Sequence, residues 1–574
     1  MSYLNFKSEY DRFPKTTIKN HRAFHGYDAI YQELNKKINN RSVVVFDYYP
    51  GVDEEEVYEL IKRFNFSLEI NMYDIFKDGK TMTEQMKYNL TDDRVFGKMY
   101  YGNLVDFIDE EKLEEAKNKV EEHHGSTIIY GVGAGLVSHG DLYIYFDMAR
   151  WEIQLRYRKS MPNYNCDNYD EDILKKYKRG YFIEWRIADK HKAERFNCFD
   201  YVVDTNKSND PKMISSDTFI DSLKQLAQKP FRTVPYFDPG VWGGQWMKEV
   251  CNLDVNQPNY AWSFDGVPEE NSILFDYDGV TVELPAMDLV LYQPKELLGE
   301  QVYSRFGAEF PIRFDFLDTM EGQNLSLQVH PLTEYIKKNF GMSYTQDESY
   351  YILDAKEDAH VYLGLKEGIQ PNEMISDLES AQRGEIVFDA DKYINKFPAK
   401  KHDHFLIPAG TCHCSGKNAM VLEISATPYI FTFKLWDWQR LGLDGLPRPI
   451  NIEHGKHVIQ WDRTTKWVKE NLVNATYEVK EDGNDCKIEH TGLHELEFIE
   501  TRRYTINNDS LHKTHGTVNM LNLIDGKSAI IEGNFEPFIV HYAETFIIPA
   551  SIKEYTIKPY NCDKIKVLKA YVRS

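Results

Sequence analysis

The stretch LSLQVHP, residues 325–331, sorts its side chains by parity. In an extended chain Leu325, Leu327 and Val329 share one face, while Ser326, Gln328 and His330 share the other. Pro331 stops the strand, because it brings no N–H to a ladder. An amide and an imidazole therefore point together into one interior. A lone inward histidine is more often a satisfied core residue than a ligand, so its company decides its meaning.

Two later stretches supply that company. DESYYILDA places Glu348 at the head of a strand, and IPAGTCHCSG places His413 just after a turn. One amide oxygen, two imidazoles and one carboxylate make a mixed nitrogen and oxygen set. It suits Zn²⁺ or, less specifically, Fe²⁺, Co²⁺ or Mn²⁺. Cys412 and Cys414 flank His413 but point away from it in an extended chain, so they read as packing residues. His402 and His404 precede their strand in the charged stretch KHDHFLIP and are set aside as ligands.

Around this set the chain is strand-rich. From about residue 232 onward, short strands alternate with Gly, Pro and Asn-Asp turns and helices nearly disappear, as in an antiparallel sandwich or barrel. The phrase IPA followed by a turn and a strand occurs at 407–409 and at 548–550, which implies two related β-domains in tandem. Before residue 230 the pattern differs. RSVVVFDYYPGVD, STIIYGVGAGLV and GDLYIYFDMA read as buried strands, separated by helix-like segments such as EEEVYELIKRFN and DEEKLEEAKNKVEEHHG. Such alternation implies a parallel sheet with crossover helices. The expected division is an α/β domain over 1–230, a metal-binding β-domain over 231–455 and a second β-domain over 456–574.

Composition narrows the partners. The chain has 574 residues, 42% apolar and 28% charged, with a formal net charge of −22. So acidic a surface argues against nucleic acid and anionic membrane as main partners, but leaves room for a small anion in a local basic pocket. No apolar run of about 18 residues is present to span a bilayer, and the start lacks a signal-peptide core. Seven scattered cysteines without a C-x-x-C pair fit reduced thiols and a cytoplasmic location.

YGVGAGLVSHG, 130–140, invites a nucleotide-binding reading. It lacks the third glycine of a dinucleotide loop and does not follow the first strand. The first strand runs into DYYPGVDEEE, which has no lysine and three consecutive glutamates where a phosphate loop needs cationic and N–H donors. The strand layout resembles a nucleoside-kinase-type P-loop domain that has lost its phosphate loop.

The second part carries a more specific likeness. VWGGQWM, SLQVHP, ESYYILDAKEDAHVYLGLKEG, IPAGTCHCSG, VLEIS and WDWQR occur in the order found in type I mannose-6-phosphate isomerases. The chain resembles the short bacterial form of these cupin enzymes over roughly 235–574. The resemblance implies a tandem cupin fold and a zinc ion, or another divalent transition metal, on Gln328, His330, Glu348 and His413. It implies interconversion of mannose 6-phosphate and fructose 6-phosphate, with Glu423, Lys434 and Arg440 as catalytic residues. It further implies a small sugar or sugar-phosphate partner. Two positions depart from the family pattern: Gln346 stands where a lysine is common, and Lys434 stands where an arginine is common. A lost cation and a fork exchanged for a point charge bear on phosphate recognition and proton transfer. Two other functions fit these departures: a non-catalytic sugar-binding module, and an isomerase of an unphosphorylated aldose.

Overall fold

The computed structural model describes residues 2–428, 431–481, 486–492, 494 and 497–573. The chain divides into two compact units. One comprises 15–226 with 272–292, and the other comprises 1–14, 227–271 and 293–574. The boundary expected near 230 is therefore crossed again by the segment 272–292. Its hairpin Ser272–Tyr277 and Val280–Pro285 pairs with Lys15–Thr17, a long-range partner that no local pattern announces.

The unit containing 15–226 is built on a seven-stranded sheet. Its parallel strands lie in the order Leu68–Asn71, Thr127–Gly131, Val43–Tyr48, Leu142–Asp147, Tyr201–Asp204. Counted along the chain, the order is second, third, first, fourth, fifth. Lys212–Ser215 and Phe24–His25 extend the sheet in antiparallel fashion. The strand expected over 126–137 ends at Gly131. Gly133 takes a left-handed conformation (φ +79°), and a short 3₁₀ turn follows. The reason is a hydrogen-bond demand: the N–H groups of Gly133 and Gly135 turn inward to donate to the Asp47 carboxylate at 2.8 and 3.1 Å.

The other unit holds two antiparallel β-sandwiches. In the first, a six-stranded sheet has the central order Glu348–Ala355, Ala419–Ser425, Arg313–Asp318, Trp262–Gly266. A five-stranded sheet runs Ile394–Pro398, His360–Leu365, His413–Ser415, Leu327–Val329, Phe433–Trp436. The strand read at 325–331 is thus regular only over its middle three residues, and both of its faces are buried. Its apolar face is covered by the helix Ile452–Gly455: a Cβ on Gly455 would lie 2.4 Å from Leu435 and 3.6 Å from Val329. Its polar face looks into the sandwich.

In the second sandwich, Tyr504, Leu521 and Val567 from a six-stranded sheet meet Ile531, Val540 and Ile557 from a four-stranded one in a single apolar core.

Helices are more numerous after residue 232 than the sequence suggests. Thr333–Phe340 buries Ile336 and Phe340, four residues apart, and ends on left-handed Gly341. Pro371–Gln382 starts on its proline and buries Met374, Leu378 and Ala381. Each presents only a narrow apolar stripe amid strand and turn signals. No helix among the described residues is long and apolar enough to cross a membrane.

Candidate metal centre

The two sheets of the first sandwich bring their polar residues face to face. Gln328 lies directly opposite His413 on one neighbouring strand and opposite Lys434 on the other. Across the sandwich, Glu348 pairs with Ser425, and Glu423 lies between Tyr350 and Asp315. Cross-strand partners share a face, so register alone gathers these side chains.

His330, Glu348 and His413 offer ligand atoms that all lie within 4.8 Å of one another, and all three residues are buried. His330 Nδ1 donates to the Phe431 carbonyl at 2.9 Å, and His413 Nδ1 donates to the Thr411 carbonyl at 2.8 Å. With Nδ1 committed as donor, Nε2 of each ring presents its lone pair inward. These two nitrogens approach the Glu348 carboxylate at 3.1 and 2.9 Å. Among the described residues, neither His330 Nε2 nor Glu348 Oε1 has a hydrogen-bond partner. Three electron-rich groups converge with no positive charge between them. The Gln328 amide ends 3.2 Å from His413 Nε2, and turning it over brings its oxygen into the same set.

The titration behaviour has the same cause. Burial opposes charge on Glu348, yet the two imidazoles hold its carboxyl well below the usual range. Burial opposes charge on His330 too, but Glu348 outweighs it and lifts the ring above ordinary imidazole; at His413 burial wins. The cluster fits a divalent cation in donor type and in its unmet need for positive charge.

Over 57–58% of its length the chain is similar to mannose-6-phosphate isomerases. "Probable mannose-6-phosphate isomerase GmuF" of Bacillus subtilis is 27% identical over 331 residues, 57% of this chain and 96% of that protein. Mannose-6-phosphate isomerase ManA of the same organism is 23% identical over 339 residues, 58% and 98% of the two chains. A crystal structure of the mannose 6-phosphate isomerase from Bacillus subtilis aligns with 60% of this chain and 100% of its own, at a TM-score of 0.49 and 18% identity. Residues 26–228 match a family model described as a domain of unknown function, DUF8485.

Beside the cluster, Glu423 is buried and held by Ser425 Oγ at 3.0 Å and Gln346 Nε2 at 3.1 Å. Burial, then the charges of Glu348 and Asp315, push its carboxyl well above the usual range. Gln346 also donates to Glu348 Oε2 at 2.8 Å and accepts from the Phe431 N–H at 2.8 Å. An amide can serve both carboxyls because it donates twice without adding charge.

Lys434 is partly buried, and loss of solvent followed by the Arg448 charge pushes its ammonium down to about 7. Arg440 reaches the Asn324 carbonyl at 2.7 Å, the Asp437 carbonyl at 3.3 Å and the Asp437 carboxylate. All three of its nitrogens are engaged by the chain. The set-aside residues stay outside the cluster: His404 Nε2 bonds Ser349 Oγ at 2.8 Å, and Cys412 and Cys414 are buried free thiols.

Three neighbours escaped the sequence. Arg313 and Asp315 form a buried ion pair at 2.9 Å next to Glu423, and burial raises Asp315 to about 7 against the pull of Arg313. Tyr350 directs a buried hydroxyl, without a hydrogen-bond partner among the described residues, into the region of Glu348 and Glu423. RFDFLD and ESYYIL read as ordinary buried strands; only cross-strand register reveals what their alternate residues face.

Proposed function

We propose that the chain is a divalent-metal-dependent aldose–ketose isomerase that interconverts mannose 6-phosphate and fructose 6-phosphate. One observation carries this: two imidazole nitrogens, fixed by backbone carbonyls, converge with a carboxylate that has no proton to share. The similarity to mannose-6-phosphate isomerases supplies the substrate class. Gln328, His330, Glu348 and His413 would hold the ion, zinc by donor set. When bound, it supplies a Lewis acid for the sugar's carbonyl and hydroxyl oxygens.

The chain's own residues do the rest. Glu423, oriented by Gln346 and Ser425, takes the proton from C2 of the open-chain aldose and returns a proton to C1 of the enediol. Lys434, on the same face as Gln328, steers the oxygens through which the hydroxyl proton moves. Arg440 braces Asp437 and the strand end. In this proposal 231–455 is the metal-binding cupin domain and 456–574 a second cupin-like domain.

Residues 15–226 we propose to be a P-loop-kinase-like domain without its phosphate loop. The strand order supports it. So does the loop after the first strand, where Arg156 Nη1 bonds the Gly51 carbonyl at 3.0 Å and Ile153 fills the space beside Gly51. The helix beginning there opens on Glu54, Glu55 and Glu56.

The test is proton exchange at C2 and sugar interconversion by metal-replete protein. Exchange with mannose 6-phosphate is expected. Its absence with every aldose and ketose, phosphorylated or not, would leave a non-catalytic sugar-binding module.

A further inference from the structure

Beside the metal cluster, two guanidiniums and a hydroxyl share one carboxylate. Asp437 is buried, with side-chain exposure of 4%; it accepts from Ser326 Oγ at 2.8 Å and from the Arg440 guanidinium, and its second oxygen forms an ion pair with Arg448, 2.6 Å from Nε. Ser326 is two residues from Gln328 on the same face of the strand, so this group adjoins the ligand set along one sheet. Arg440 spends its remaining donors on the chain. Arg448 does not: beyond Nε, its guanidinium has no partner among the described residues. The Lys434 ammonium likewise has none.

The two unspent cations are held close together. The segment carrying Arg448 runs beside the Lys434 strand, where the Asn451 N–H donates to the Lys434 carbonyl at 2.8 Å and the Lys434 N–H donates to Asn451 Oδ1 at 3.3 Å. The Arg448 side chain is 18% exposed, enclosed yet reachable.

Three positive charges, Lys434, Arg440 and Arg448, beside the single carboxylate of Asp437 in a partly dry site are costly unless an anion completes them. A guanidinium ion-paired on its Nε side leaves its outer edge as a two-pronged donor, and that edge matches two oxygens of a phosphoryl group. We infer that Arg448, with Lys434, anchors the phosphoryl group of the substrate, while Asp437 and Arg440 hold Arg448 in place. This assignment rests on the isomerase proposal for its substrate. It makes the site specific for a phosphorylated sugar and assigns anchoring to a residue outside the WDWQR stretch.

The experiment separates the two ideas. Inorganic phosphate is titrated calorimetrically into full-length protein stripped with EDTA, so that no metal can bind the anion. Wild type binds saturably. Arg448→Gln weakens binding by about tenfold or more, the scale of a charge-assisted pair. Arg448→Lys keeps the ion pair with Asp437 but loses the fork, and weakens it less. Absence of saturable binding by wild type, or unchanged affinity in a folded Arg448→Gln or Arg448→Lys protein, overturns the assignment. Turnover of mannose 6-phosphate and of mannose is measured in parallel. Arg448→Gln raises KM for the phosphorylated sugar by a larger factor than it changes kcat/KM for mannose. An unchanged KM for mannose 6-phosphate overturns the anchor and spares the isomerase. Phosphate binding that depends on Arg448 in a protein that turns over neither sugar supports the anchor and sinks the isomerase.

Discussion

Asp47 and Glu348 are both fully buried carboxylates facing histidine, and their surroundings treat them in opposite ways. Asp47 receives four donors: the Gly133 and Gly135 N–H groups, Tyr143 Oη at 2.5 Å and His191 Nε2 at 2.7 Å. Nearby, Lys192 sits between Asp147 at 3.0 Å and Asp288 at 2.6 Å. Asp47 and Asp147 each accept hydrogen bonds from donors of the chain, and Lys192 ion-pairs with two carboxylates. Around Glu348, two imidazoles turn lone pairs toward the carboxylate, and among the described residues only Gln346 donates to it. A polar cluster completed by its own donors is a structural network. A cluster left short of positive charge is a place for something from outside. The comparison also accounts for YGVGAGLVSHG: a glycine nest of the kind that cradles phosphate is present, and the anion in it is the protein's own Asp47.

The comparison can be broken most forcefully at Lys192. Lys192→Met strands two buried carboxylates and is expected to cost about 3–5 kcal/mol, read from the urea midpoint. A change within error would mean that the network is not what holds this region. In the other cluster, Glu423→Gln keeps the shape but removes the acid, and turnover is expected to fall by about 10²- to 10³-fold with metal content unchanged. Equal loss of metal would instead make Glu423 a ligand.

A gentler test uses acid. Four donors outweigh burial and hold Asp47 below its ordinary value of 3.8 in the folded state. A depressed folded value stabilises above the unfolded one, and that contribution disappears as pH falls through the folded value. Asp47→Asn should therefore flatten the loss of stability below about pH 4. An acid limb as steep as in wild type would assign the acid sensitivity elsewhere. The smallest expected effect is none: Mg-ATP titrated into the full chain should give no micromolar binding, since the loop that would hold phosphate is occupied by Arg156 and Ile153. Micromolar affinity would revive a catalytic role for the first half.

How much of this is legible in the sequence depends on range. Gln328 and His330 are two apart in one strand, so parity alone puts them together. Glu348 and His413 stand at a strand head and after a turn, positions that local signals mark. Lys434 is expected from the family resemblance, whereas Asp315 and Tyr350 join the site only through cross-strand register, which a linear reading does not contain. Arg448 follows a loop of glycine and leucine and reads as surface until Asp437 is seen to hold it. The parallel sheet before residue 230 follows from its buried strands, but the return of 272–292 depends on pairing with Lys15–Thr17 far away in the chain.

The central claim is that the second half contains a cluster built for a metal ion and the described residues of the first half do not. Elemental analysis of purified wild type, His330→Ala, Glu348→Ala and Lys192→Met tests it most directly. One equivalent of a divalent transition metal is expected in wild type and in folded Lys192→Met, and a small fraction of that in His330→Ala and Glu348→Ala. Full metal content in the His330 and Glu348 variants would contradict the account.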